Sequence, residues 1–263
     1  SLDDTRIASS DVRKIYTLLE LDSLPIPVED IFINLDIEGD RSTIDLTSLK
    51  VKTGSSFVFI EGSSTALSDS LWQKDLTLRN LELNLKKSDL IPYISYIDVD
   101  TAMIPSFLTL ELKGNYNSKN ADVDGIIKSP FGNIAINLQG DGWSTKKQGL
   151  SVLLESNEVR VGDYLKLSEK LNSDFSLKLK TQNLTDSSLN LCTELSIDTL
   201  DFANNQFANL NLNADITGKE VIYAFSVQDT FVDARLGGMV DFTAGIDAVV
   251  SGRVKGIDLQ GLN

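Results

Sequence analysis

The side chains that perform most protein chemistry are scarce in this sequence. Its 263 residues contain no histidine and a single cysteine, Cys192. A Ser-His-Asp or Cys-His mechanism therefore lacks its base, an internal disulfide lacks a second thiol, and a zinc site of His and Cys ligands lacks donors. Cys192 shares parity with Asn190 and Glu194, which puts it on a polar face as an inert small side chain. The phosphate-loop candidates fail on spacing. Gly140-Asp141-Gly142 has no third glycine at Thr145, and Gly218-Lys219 has no upstream P-loop glycine. Ser144 to Lys147 matches S-x-x-K and Lys52-Thr53-Gly54 matches K-T-G, but their order is the reverse of that in penicillin-binding enzymes, and S-D-N is missing. Asp122-Val123-Asp124-Gly125 looks like a piece of a calcium loop, yet Asn133 stands where the twelfth position needs glutamate. Close carboxylates such as Asp98 and Asp100 read as solvated groups, because a glycosidase pair must face itself across a cleft. The expectation is a non-enzyme with no metal and no cofactor.

Charge narrows the partners further. Lys and Arg number 24 against 38 Asp and Glu, a formal charge of −14. Nucleic-acid affinity rests largely on cations neutralising phosphates, so no nucleic-acid partner is expected. No run of about 18 apolar residues spans a bilayer as a helix. No charged segment followed by an apolar one opens the chain, so any signal or membrane anchor is expected outside it. Ser1-Leu2-Asp3-Asp4 at the start and the stop just after Asp258-Leu259 read as cuts from a longer protein.

What the sequence does carry is alternation. Between 188 and 258, Leu189, Leu191, Leu195 and Ile197 oppose Asn190, Glu194 and Ser196. Leu210, Leu212, Ala214 and Ile216 interleave with Asn209, Asn211, Asn213 and Asp215, and Val221, Tyr223, Phe225 and Val227 repeat the pattern. Period two gives each strand one apolar and one polar face, hence a sheet dry on one side and wet on the other. The same signal runs through Ile31 to Ile37, Ile44 to Val51, Phe57 to Glu61, Leu76 to Leu85, Leu108 to Leu112, Val123 to Ile127, Ile134 to Leu138, Leu150 to Leu154 and Phe175 to Leu179. Gly62 to Ser70 reads as a polar loop.

Helical signals are short. Ser9-Ser10-Asp11 starts a helix with Val12, Ile15, Leu18 and Leu19 on one face, ending before Pro25 and Pro27. Ser88 to Ile94 is a capped segment in which Pro92 is expected in the first turn. Gly162-Asp163 caps a helix that carries Tyr164, Leu167 and Leu171 inward. Lys87-Ser88-Asp89-Leu90, Val161-Gly162-Asp163-Tyr164 and Gly256-Ile257-Asp258-Leu259 thus mark joints between meanders, stacked as irregular supersecondary units.

With these residues laid out, the chain resembles a known family. Leu195 to Phe202, Phe207 to Ala214 and Gly218 are similar to the C-terminal-half repeats of TamB proteins, the translocation and assembly module B subunits of the AsmA-like superfamily, in their Bacteroidota form. Val227-Gln228-Asp229, Ala234 to Gly238 and Val240-Asp241-Phe242 fit that family's "D…L…G…DF" rhythm. Val254 to Asn263 resembles its "DL..LN" joint, and Asn157 to Leu165 its N-x-x-x-G-x-x-L joint. The match is best from about 150 to 263, looser from 28 to 150, and absent over the first 27 residues.

The resemblance implies an all-β, elongated antiparallel β-taco or groove of stacked meander repeats, with a few short helices at the joints. Residues 1–27 are expected as a helical and linker segment, and 28–263 as a continuous taco with joints near 86–98, 157–172 and 256–263. It also implies a Gram-negative periplasmic protein, anchored in the inner membrane outside this chain. Its partners would be phospholipid or another acyl-chain ligand, and an Omp85-class outer-membrane protein. The groove is expected to conduct lipid and support outer-membrane biogenesis. Its lining is expected from Leu76, Leu78, Leu83, Leu85, Leu108, Leu110, Leu112, Ile134, Ile136, Leu195, Ile197, Leu210, Leu212, Val221, Tyr223 and Phe225. Two other readings use the same alternation: a scaffold that adds strands of outer-membrane proteins to its sheet edges, or a closed sandwich or solenoid of a surface protein.

Overall fold

The computed structural model describes residues 1–8, 10–11, 29–40, 42–65, 75–94, 101, 104–117, 119–142, 148–157, 159–165, 167, 171–182, 190–202 and 205–257. The fold is antiparallel β nearly throughout. Two compact units divide it, one of residues 1–117 with 123–130, the other of residues 118–122 with 131–263.

The first unit holds β1 (Leu2–Ile7), β2 (Ile31–Gly39), β3 (Thr43–Thr53), β4 (Ser56–Thr65), β5 (Leu76–Lys86), α1 (Lys87–Ile94) and β6 (Phe107–Tyr116). Each strand pairs with the next in chain order, from β1 to β6. β7 (Asn120–Ser129) lies partly in each unit. The second unit holds β8 (Gly132–Asp141), β9 (Gly149–Asn157), β10 (Val159–Arg160), α2 (Val161–Leu165), β11 (Leu171–Gln182), β12 (Asn190–Phe202), β13 (Asn205–Thr217), β14 (Glu220–Gln228), β15 (Val232–Asp241) and β16 (Asp247–Ile257). Its sheet again follows chain order, with the short β10 pairing beside β11. Short turns make this order: Gly54 and Gly218 take left-handed φ values of 58° and 60°, at the β3–β4 and β13–β14 hairpins.

The sheet is open: its strands run in order from β1 to β16 and the two end strands do not pair. Among the described residues, Val159, Val227 and Ala234 are the apolar residues that become buried, and no large side chain is fully enclosed. A closed sandwich would surround its inward side chains with neighbours from two sheets and leave many of them fully dry. The described residues do not show that pattern.

Several local expectations change as well. β1 falls within the segment read as helix and linker, and it pairs with β2. Its alternation is broken because the register shifts between Leu2 and Thr5, where Asp4 has φ 43°. Gly62 to Thr65 belong to β4 and are not part of a loop. Pro92 lies in the second turn of α1, not the first, and the helix stops at Ile94. α2 ends at Leu165, Leu167 is 44% exposed, and Leu171 opens β11, so Leu167 and Leu171 are not inward residues of that helix. Ser10 and Asp11 are helical, while the rest of the helix expected from Ser9, Leu189, the carboxylates Asp98 and Asp100, the S-x-x-K stretch 144–147 and the joint residues 258–263 lie outside the described residues.

Candidate functional site: the apolar sheet faces

Cross-strand register turns the alternation into rows. In the second unit one row runs Ile136, Leu154, Leu177, Leu195, Leu212, Phe225 and Leu236, each directly opposite the next. Beside it run Thr193, Ala214, Tyr223 and Gly238, then Leu191, Ile216, Val221 and Val240. Ile197, Leu210, Val227 and Ala234 form a further row, and Ile134 stands opposite Ser156. In the first unit Leu35, Leu49, Ile60, Leu81 and Leu112 form one row, and Ile33, Val51, Val58, Leu83 and Leu110 another. Leu85 faces Leu108, Leu78 lies between Gly62 and Gly114, and Leu76 between Ser64 and Tyr116.

Every expected lining residue thus falls on the apolar face of its unit, half-buried. The rows also take in Leu154, Leu177 and Leu236, which were not singled out beforehand. Their alternation was visible, but only the pairing register shows that they connect the others.

Two bulges keep the first unit's rows in line. Thr47 in β3 and Arg79 in β5 are extra residues on either side of Glu61 in β4. A bulge resets parity by one residue. Leu46 and Leu49 consequently share a face, as do Leu78 and Leu81. On the polar face Arg79 donates to both oxygens of Asp45, at 3.1 and 2.6 Å, and to the Leu46 carbonyl at 3.0 Å, bridging the two bulged strands. The pair is solvent-exposed, so its part is to fix geometry more than to add stability.

Glycines give the larger side chains room. The Tyr223 ring lies over Gly238, Leu236 over Gly252, and Leu112 over Gly125. In each case a side chain of the apolar face covers a neighbouring strand that has no Cβ there.

The joints are structural. The Asp89 carboxylate in α1 accepts from the Ser55 amide at 2.8 Å and the Ser56 hydroxyl at 2.8 Å, while Lys86 N donates to that hydroxyl at 2.9 Å. Burial opposes its charge, but the bonds from Ser56, Ser55 and Ser88 prevail and hold its carboxyl below the usual range. In this way α1 is tied to the β3–β4 hairpin. At α2, Arg160 pairs with Asp163 at 3.1 Å, and its amide donates to the Phe131 carbonyl at 2.7 Å. Asp229 closes the β14–β15 turn by accepting from the amides of Ala208 and Phe231, both at 2.8 Å.

The residues considered for chemistry take ordinary places. Lys52 and Thr53 end β3, Gly140 and Asp141 end β8, and Asp122 and Asp124 are exposed residues of β7. The Cys192 thiol donates to Asp215, and this bond, burial and the Asp215 charge push its pKa up, away from thiolate reactivity. Two cavities of the second unit, of about 660 and 380 Å³, are lined mainly by polar-face side chains such as Gln139, Lys180, Glu194 and Asn211. Of the apolar rows named above, Leu195 alone reaches the lining of either cavity. Among the described residues no group of three or more acidic, cysteine or histidine side chains is placed to hold a metal, and no helix is long and apolar enough to cross a membrane.

Comparison with protein-family models, with curated proteins and with solved structures finds no match.

Proposed function

We propose that the apolar faces hold acyl chains, and that the chain is a non-enzymatic, lipid-conducting segment of a periplasmic, TamB/AsmA-like envelope protein. The observation that carries this reading is the row from Ile136 to Leu236, which crosses the second unit's sheet strand by strand without becoming enclosed. An apolar surface of this extent that stays partly exposed costs free energy in water. An acyl chain laid across it removes that cost at about 0.8 kcal/mol per methylene. The rows present no charged group that would fix one position, which suits passage better than capture. The polar head of a lipid would stay in solvent at the rim. Movement of phospholipid between inner and outer membranes, support of outer-membrane biogenesis, anchoring in the inner membrane beyond this chain and an Omp85-class partner all belong to this reading through the family resemblance.

A photo-crosslinking residue placed in cells at Leu212 or Leu110 is expected to trap lipid, whereas at Asn211 or Glu111, on the opposite faces, it should not. Equal adducts at all four positions would sink the proposal. A second reading, addition of client strands to a sheet edge, is favoured by β16, every residue of which is exposed. It places function in backbone edges, and it predicts equal and low lipid adducts on both faces.

A further inference from the structure

The polar face of the second unit changes character where β14, β15 and β16 run side by side. The register lays four rows across these strands. Glu220, Asp241 and Asp247 form an acidic row. Next come Ile222, Met239 and Val249, which are 51%, 39% and 60% exposed on the face that carries Asp215 and Asn213 one strand away. The third row is small: Ala224, Gly237 and Ser251. The fourth is Ser226, Arg235 and Arg253, with the two arginines directly opposite each other. Like charges in that position repel, and neither arginine is bonded to another described residue.

Three large apolar side chains in a row facing water call for a cover. The order of the rows indicates which cover fits. A second copy laid face to face, about a two-fold axis that lies in the plane of the sheets and crosses the strands, has its rows in reverse order. With that axis between the second and third rows, each strand lies over its own counterpart. Asp241 then meets Arg235 and Asp247 meets Arg253, while Ile222, Met239 and Val249 meet Ala224, Gly237 and Ser251. Opposite charges meet on β15 and β16, Glu220 meets the hydroxyl of Ser226 on β14, large side chains meet small ones on all three strands, and symmetry repeats each match. Asp241 already accepts from the Thr243 amide at 2.7 Å and is held below the usual carboxylate range by that residue and by Lys219.

We propose that this patch on β14–β16 is an isologous self-association surface whose partner is a second copy of this chain. It is independent of any lipid on the opposite face. Three strands at about 4.8 Å spacing and seven residues at about 3.4 Å rise give a footprint of about 340 Å² per copy. That is below the roughly 800 Å² of a standard stable interface, so the dimer forms weakly and with concentration.

Sedimentation velocity of the full chain from about 5 µM to about 1 mM tests it, with circular dichroism to confirm that each variant is folded. The wild type should pass from monomer to dimer, and Met239→Lys should raise the dissociation constant by about tenfold or more. Asp247→Arg and Arg253→Asp should each weaken the dimer, and an equimolar mixture of the two should restore it, because one copy then supplies both acids and the other both bases. A monomer throughout the range would overturn the proposal. So would a dimer indifferent to Met239→Lys, since that residue lies inside the sheet and such a dimer would be pairing through the edge of β16. Failure of the folded mixture to restore association would overturn it as well.

Discussion

A protein carrying Leu110→Asp and Leu212→Asp is expected to keep its sheets and lose its acyl ligand. Each leucine sits in the middle of an apolar row, Leu110 beside Leu83 and Leu212 between Leu195 and Phe225. Each is only half-buried, so the new carboxylate can stay hydrated while the face is empty. An acyl chain laid across it must strip that water. The penalty for an unpaired polar group is about 2 kcal/mol, or roughly thirtyfold in affinity at each site. Displacement of a fluorescent fatty acid measures the loss, and the far-ultraviolet circular dichroism spectrum should be unchanged. Asn211→Asp, one residue along on the polar face, is the control and should bind as the wild type does. Unchanged affinity in the double variant would remove the apolar rows from function and favour the strand-edge reading.

The second large effect is on stability and concerns one glycine of two adjacent ones. A Cβ on Gly238 would strike the backbone oxygen of Val249 and come within 2.9 Å of the Tyr223 hydroxyl and 3.0 Å of its ring. The oxygen belongs to the β15–β16 pairing and cannot move without opening it, so relief has to come from the strands themselves. Gly238→Ala is expected to cost about 3 kcal/mol, at the upper end of overpacking penalties, and to turn the Tyr223 ring off the sheet. Gly237 points to the other face, and a Cβ there meets only the Tyr223 carbonyl, at 3.4 Å. Gly237→Ala should therefore change stability by no more than about 0.5 kcal/mol. Urea unfolding of the two variants gives the comparison, and equal midpoints would show that the Gly238 contact does not hold β16 in place.

These two glycines show how far the sequence could be read. Alternation marked the strands from β11 to β16 and both of their faces, because period two survives wherever a strand is regular. It failed where the strand was not. At β1 the shift around Asp4 puts Leu2 and Ile7 out of phase, so the strand left no periodic trace. In β5 the alternation from Leu76 to Leu85 changes parity between Leu78 and Leu81, and only the bulge at Arg79 shows that both leucine runs share one face. Gly62 to Thr65 looked like a loop because Gly-Ser-Ser-Thr has turn chemistry, yet pairing with β5 overrides it. The expected lining residues were legible one strand at a time. That Leu154 and Leu177 connect Ile136 to Leu195 is a matter of register, which no single strand encodes. The row of Ile222, Met239 and Val249 was hidden for the same reason, since each taken alone is only an apolar residue at a polar parity.

If the apolar faces are surfaces for acyl chains, native mass spectrometry of the chain purified from a cell envelope under gentle conditions should find lipid on them. Peaks heavier than the bare chain by the mass of one or more phospholipids are expected, lost on collisional activation and absent from the Leu110→Asp, Leu212→Asp variant. A wild-type chain that emerges free of lipid, and stays so after incubation with phospholipid vesicles, would contradict it.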